Sequence, residues 1–160
     1  MRRILAPILL VVLLFPSLAL GETMDDLVET NGVYFKKFTE VPFDGTVTGR
    51  HQGKIKDGKQ DGLWVAYFSN GGLWSKGTFK DGKKDGPWVA YYDNGQIQYK
   101  GTFKDGEEDG LWVGYYVNGQ LWSKGTYKDG EEDGLWVTYL ADRTVWEEYT
   151  GTFKNGVKVD

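Results

Sequence analysis

The chain contains no cysteine and a single histidine, His51. Without thiols it can form no disulfide, no thiolate metal site and no lipid linkage on a leading cysteine. One imidazole cannot build a histidine-rich zinc pattern, and a lone histidine on a β-rich segment is far more often solvated or packed than catalytic. Phosphate-cradling glycine loops and EF-hand loops are also missing. No window of useful length shows helical periodicity. There is one long hydrophobic run, between Ile4 and Leu20, broken by Pro7, Pro16 and Ser17; it follows Arg2 and Arg3 and gives way to acid at Glu22. That basic, apolar, small-residue order reads as a secretory signal cleaved after Gly21, with Ala19 as the alternative point. The run is short of a comfortable membrane span and holds two prolines, which argues against an uncleaved anchor. The expectation is an exported protein, periplasmic or secreted, whose residues 1–21 are the signal.

Positive charge is scarce as well. Beyond residue 21, 17 Lys and Arg face 23 Asp and Glu, a net charge of −6. Such a chain repels nucleic acid and anionic membrane as a whole, so any such contact needs a local basic patch. No nucleic-acid partner is expected. Aromatics, in contrast, make up 16% of the chain despite its 23 glycines. That is too aromatic for disorder and reads as β-structure.

Self-similarity organises the rest. Trp64, Trp88, Trp112 and Trp136 recur every 24 residues, as do Gly53, Gly77, Gly101 and Gly125. Tyr67, Tyr91, Tyr115 and Tyr139 keep the same step, and so do two Asp-Gly pairs per unit. The units are 53–76, 77–100, 101–124 and 125–150, with a partial fifth over 151–156. Trp146 still falls 24 residues after Trp122, so the two extra residues of the fourth unit lie between Trp146 and Gly151. So many coincidences at one period mark a repeat architecture.

Within a unit, Trp88 to Tyr92 is a β-rich run, Asn94-Gly95 reads as a two-residue type I′ loop, and Gln96 to Lys104 is the return strand. Asp105 to Gly110 reads as a wider turn. The fold class is therefore all-β: an elongated, single-layer antiparallel meander of tandem 24-residue hairpins. The hairpin register sets Trp64, Trp88 and Trp112 opposite Gly77, Gly101 and Gly125. Large rings across glycines cover bare backbone, so Trp64, Gly77, Trp88, Gly101, Trp112, Gly125 and Trp136 are structural. Strand alternation places Trp88, Ala90, Tyr92, Ile97, Tyr99 and Phe103 on an apolar core face. The opposite face is amphipathic. Residues 22–52 lack the tryptophan column and read as a cap hairpin on the first repeat. At the other end Asp142-Arg143 replaces Asn-Gly, where arginine is a poor substitute at positive φ, so an irregular hairpin is expected.

Two surface patterns invite a functional reading. Asp105-Gly-Glu-Glu-Asp109 and Asp129-Gly-Glu-Glu-Asp133 offer oxygen ligands to calcium. The equivalent turns carry lysine at the same places (Lys59, Lys83 and Lys84), so these are read as solvated turn tips. No metal or cofactor is expected. The amphipathic face is the candidate binding face: Lys76, Lys100 and Lys124 recur there beside Tyr67, Tyr91, Tyr115 and Tyr139, with Trp74, Trp122 and Trp146. Such a ladder can grip an anionic chain, a lipid head group or an acidic partner segment.

Units such as Gly77-Thr-Phe-Lys-Asp-Gly-Lys-Lys-Asp-Gly-Pro-Trp-Val-Ala-Tyr-Tyr-Asp-Asn-Gly-Gln resemble the bacterial variant of the membrane occupation and recognition nexus (MORN) repeat over residues 53–156. Asn31-Gly-Val-Tyr-Phe and Val41-Pro-Phe-Asp-Gly45 look like the leader found in the same proteins. The resemblance implies a single-layered meander with a groove and no enzymatic chemistry of its own. It also implies protein interaction, self-association and sometimes phospholipid contact. Some relatives carry an antitoxin label, which fits an exported chain poorly. The reading is a non-enzymatic repeat scaffold that binds another protein or itself. A membrane lipid or anionic glycan is the rival ligand.

Overall fold

A computed structural model describes residues 21–160, so the expected signal segment through Leu20 lies outside the described residues. One sheet runs along the described chain, with successive hairpin strands as neighbours, and a separate two-stranded sheet lies near its start. The repeat hairpins pair Lys59–Tyr67 with Leu73–Lys80, Lys83–Tyr91 with Ile97–Lys104, and Gly110–Tyr115 with Leu121–Lys128. Gly134–Thr138 then pairs with Gly151–Lys154. This is the expected antiparallel meander.

The tryptophan register matches the spacing argument: Trp64, Trp88 and Trp112 are the Cα partners of Gly77, Gly101 and Gly125. The rings, however, lean the other way. The indoles of Trp64, Trp88, Trp112 and Trp136 lie on Gly53, Gly77, Gly101 and Gly125, where any added Cβ would collide with the ring. Each tryptophan therefore covers the glycine of the strand before its own hairpin, not the one it faces within it. The glycines admit that close approach because they have no side chain.

The turn chemistry is the reverse of the expected one. Asp57-Gly58, Asp81-Gly82, Asp105-Gly106 and Asp129-Gly130 hold positive φ at both residues. These Asp-Gly pairs are the two-residue type I′ turns. After each, a short pairing such as Glu107–Glu108 on Phe103 and Lys104 precedes a second left-handed glycine, Gly110 at φ 81°. Around Asn94 the loop has three residues. Tyr92 N–H donates to the Gln96 carbonyl at 2.8 Å, Gly95 N–H donates to the Tyr92 carbonyl at 2.9 Å, and only Gly95 takes positive φ. Asn94 serves there through its side chain, whose oxygen accepts the Gln96 N–H at 3.0 Å.

That third loop residue shifts the pairing by one, so Tyr91 rather than Tyr92 faces Ile97. A bulge at Gln98 restores Ala90 opposite Tyr99. Trp74 and Trp122 are the bulged residues in the flanking units.

The ends are specialised. Leu27–Thr30 and Val33–Lys36 form the small sheet, and Glu22–Thr23 runs parallel to Gly45–Thr48 at the sheet edge. Leu27, Val47, Ile55 and Trp64 make a buried cluster, supported by Met24, Tyr34, Phe43 and Phe79. Tyr34 N–H donates to the Gly58 carbonyl at 2.7 Å, and Gly58 N–H donates to the Phe43 carbonyl at 2.9 Å, tying this segment to the first Asp-Gly turn. Burial, with a hydrogen bond to Glu29, pushes the Tyr34 phenol up to about 12. At the far end the loop over Asp142 keeps the three-residue form, with Arg143 at φ 72° where the other units have glycine. The extra residues of the fourth unit fall at the short 3-10 turn Glu147–Tyr149.

Candidate binding groove

One face of the sheet carries a continuous aromatic row. Trp64, Phe79, Trp88, Phe103, Trp112, Tyr127 and Trp136 follow one another at ring separations of 6.0, 5.6, 5.8, 5.0, 5.9 and 4.9 Å. Every step is edge-to-face, the geometry that aromatic quadrupoles favour, worth about 0.5–1.5 kcal/mol per pair beyond burial. A single-layer sheet has no second layer to bury this face, so the rings bury one another. Trp64, Trp112 and Trp136 are only 5%, 8% and 6% exposed.

Backbone and phenol contacts hold the repeats in step on either side of the row. Gly82, Gly106 and Gly130 each donate N–H, at 2.9 Å, to the carbonyls of Gln60, Lys84 and Glu108 in the preceding unit. At the opposite margin Tyr92 Oη donates to the Tyr115 carbonyl at 2.8 Å, and Tyr116 Oη to the Tyr139 carbonyl at 2.7 Å.

Over the row lies an open groove of about 790 Å³, whose walls include Tyr99, Phe103, Trp112, Tyr127 and Trp136. A smaller hollow of about 230 Å³ continues it toward Trp64 and Trp88, sharing Phe79, Lys84 and Tyr99. Four charged residues line the larger groove: Lys83 at one end, and Lys84, Glu108 and Glu132 at equivalent positions of successive units. The Lys84 ammonium sits 4.4 Å from the Trp88 ring and 4.6 Å from the Phe103 ring, a cation–π contact on both. Burial lowers its pKa, opposed by Glu108. Burial raises the Glu132 carboxyl above its ordinary range. The Tyr127 phenol is also raised, first by burial and then by Glu132 and Glu108.

The residues singled out from the sequence divide between two faces. Lys76, Lys100 and Lys124 are exposed on the face opposite the row, Lys76 between Val65 and Val89 and Lys100 between Val89 and Val113. Tyr67, Tyr91 and Tyr115 are half-buried, and the Lys100 ammonium lies 6.0 Å from the Tyr115 ring. Trp74 and Trp122 are not on that face. The bulge turns them toward the groove, where Trp74 lines the hollow with Trp64 and Ser75, and Trp122 lines the groove with Trp112 and Ser123. Tyr139 stands beside Arg143 and Leu121, and Trp146 packs on Tyr149 at 4.4 Å. The structure thus does not bring the ten candidates together in one site.

From the sequence, the apolar face reads as the core side and Lys84, Glu108 and Glu132 read as solvated turn tips, whereas all three line the groove. The available signal was their strand position: each lies two residues after the Asp-Gly turn glycine and pairs with an aromatic residue of the row.

Comparison with known proteins gives the repeat its identity. The model of the family described as MORN repeat variant matches residues 60–81, 84–105 and 108–129. No curated protein is significantly similar to the chain. Among solved structures, a crystal structure of TarM is 11% identical, with a TM-score of 0.32 over 67% of this chain and 20% of that one. A crystal structure of an S. aureus TarM mutant in complex with Fondaparinux, alpha-GlcNAc-glycerol and UDP gives 11% and 0.32 over 68% and 21%. The chain spans about a fifth of the length of these structures, and so slight a likeness carries no argument. The three tandem matches and the hairpin meander built on them identify residues 60–129 as three tandem MORN-variant repeats.

Proposed function

We propose that this protein is an exported, non-enzymatic scaffold that binds another protein, or a second copy of itself, through the aromatic groove. The observation that supports this most is the open groove along the tryptophan row, with Trp74 and Trp122 each 45% exposed at its margin. Exposed indoles beside a packed aromatic floor are the residue type that dominates binding energy at protein interfaces. The basic, apolar, small-residue start of the chain supports export to the periplasm or beyond. The test is capture from envelope fractions with purified mature protein, alongside the Trp74→Ala/Trp122→Ala variant. A specific partner retained by the wild type and lost by the variant is expected. Equal retention by both would move the interface elsewhere.

A second reading is favoured by the opposite face. Lys76, Lys100 and Lys124 are joined there by a further exposed column, Lys56, Lys80, Lys104 and Lys128, at the same 24-residue step. That surface suits a lipid head group or anionic glycan. Vesicles containing anionic lipid, with Lys76, Lys100 and Lys124 all changed to glutamate as the comparison, test it. Binding that survives the charge reversal would remove the reading.

A further inference from the structure

We infer that the groove is a site for organic cations: a linear ligand bearing primary ammonium groups, seated on the aromatic row against Glu108 and Glu132. The inference rests on the binding role proposed above for the groove and specifies its chemistry.

The protein itself shows what such a site holds. The aromatic pair formed by Trp88 of the second unit and Phe103 of the third is occupied by an ammonium, that of Lys84, within 4.4 and 4.6 Å of the two rings. The 24-residue repeat carries the same pair forward as Trp112 with Tyr127, and Trp136 with Phe153. Trp112, Tyr127 and Trp136 belong to the same aromatic cluster as Trp88 and Phe103, with Phe153 packed against it. At the position of Lys84, however, these two units carry Glu108 and Glu132. The cation-accepting aromatic surface is thus repeated, while the internal cation is replaced by a carboxylate that attracts an external one.

Both carboxylates line the groove of about 790 Å³. Among the described residues neither is in an ion pair; the pairs present are Lys36–Glu22 and Lys154–Asp133. Glu108 is near enough to the Lys84 ammonium to favour its charged form, whereas Glu132 has no such cation, and a lone charge held partly out of water is costly, in agreement with its raised pKa. A cation over Trp112, Tyr127 and Trp136 recovers both the Coulomb and the quadrupole attraction. Equivalent positions in consecutive units are two strands apart, roughly 10 Å. That spacing suits two ammonium groups on one flexible chain. Two sources share this chemistry, a free polyamine and the lysine side chains of an extended peptide.

The experiment is calorimetric titration of the folded mature protein with spermidine and, separately, with an end-capped tetralysine peptide at one fixed low salt concentration. Saturable binding of at least one is expected. Spermidine alone would identify a free polyamine as the source, and the peptide alone a lysine-bearing partner segment. Glu108→Gln/Glu132→Gln should weaken binding roughly tenfold or more, in line with the loss of a desolvated charge contact. Lys84→Gln should tighten it, by vacating a third aromatic pair and removing a like charge. The control is Glu107→Gln/Glu131→Gln, which removes the same charge next door. Those residues pair with Lys104 and Lys128, whose side chains lie on the opposite face. It should bind as the wild type does. Equal weakening by the two double variants, or no binding of either ligand, overturns the inference. Because these ligands are added directly, the outcome is independent of whether any partner is captured from the envelope.

Discussion

Three of the four row indoles donate Nε1–H to a carbonyl ten residues earlier: Trp64 to Lys54, Trp112 to Thr102 and Trp136 to Thr126, at 3.0–3.1 Å. Trp88 differs. Its Nε1 is buried with no partner among the described residues, and its six-membered ring, rather than the ring fusion, lies nearest the glycine beneath. A made hydrogen bond contributes about 1 kcal/mol net, whereas a buried donor left unsatisfied costs about 1–3 kcal/mol. Two substitutions of equal size should therefore differ in cost. Trp112→Phe loses ring area and one of the two hydrogen bonds that the Thr102 carbonyl accepts, the other coming from Asp109 N–H; Trp88→Phe loses ring area and no hydrogen bond. Urea unfolding should show Trp112→Phe to be the more damaging by about 1 kcal/mol. Equal midpoints for the two variants would mean that the indole hydrogen bonds add nothing to the row. The lysine over Trp88 is the compensating feature of this unit, since a cation on the ring face needs no N–H.

Among the hairpins, what could be read from spacing was the period and everything that depends on it alone. Trp64, Trp88 and Trp112 stand opposite Gly77, Gly101 and Gly125 because the sum of a three-residue loop and a one-residue bulge equals the simple two-residue loop that the spacing suggests. The same cancellation hid the bulges. A residue added to one strand and absorbed within the unit leaves the 24-residue step unchanged, so Trp74 and Trp122 looked like members of the lysine face. Asp-Gly and Asn-Gly are both competent type I′ turns, and local sequence cannot choose between them. Tertiary context decides: the Asp-Gly turn must return its Gly N–H to the previous unit, as Gly106 does to Lys84 at 2.9 Å. The fourth hairpin keeps the loop geometry with the wrong residue. Arg143 sits at φ 72°, where a Cβ costs roughly 1–2 kcal/mol. Arg143→Gly should therefore raise stability by about 1 kcal/mol, read as a higher thermal midpoint. A lower midpoint would mean that the arginine side chain does more than the backbone loses.

At the scale of the molecule, each unit touches its neighbours through ties that repeat at the same step. Tyr92 Oη reaches the Tyr115 carbonyl as Tyr116 Oη reaches that of Tyr139. In such arrays stability is close to a sum of unit and interface terms. Excising residues 101–124 joins Lys100 to Gly125 and lets Tyr92 meet Tyr139 as it met Tyr115. The shortened protein should fold to the same strand content by circular dichroism, with a lower unfolding midpoint. Collapse to an unfolded chain would show that the ends cooperate over a longer range than adjacent units. The lean of the indoles gives the array a direction. Each of the four row tryptophans roofs the glycine already laid down before it, and Gly151 has none: Lys158 and Asp160 stand there instead. Lengthening by internal duplication thus needs no redesign, because a copied unit arrives with the ring its predecessor lacks. The tail acts as a stopper that can be moved outward one unit at a time.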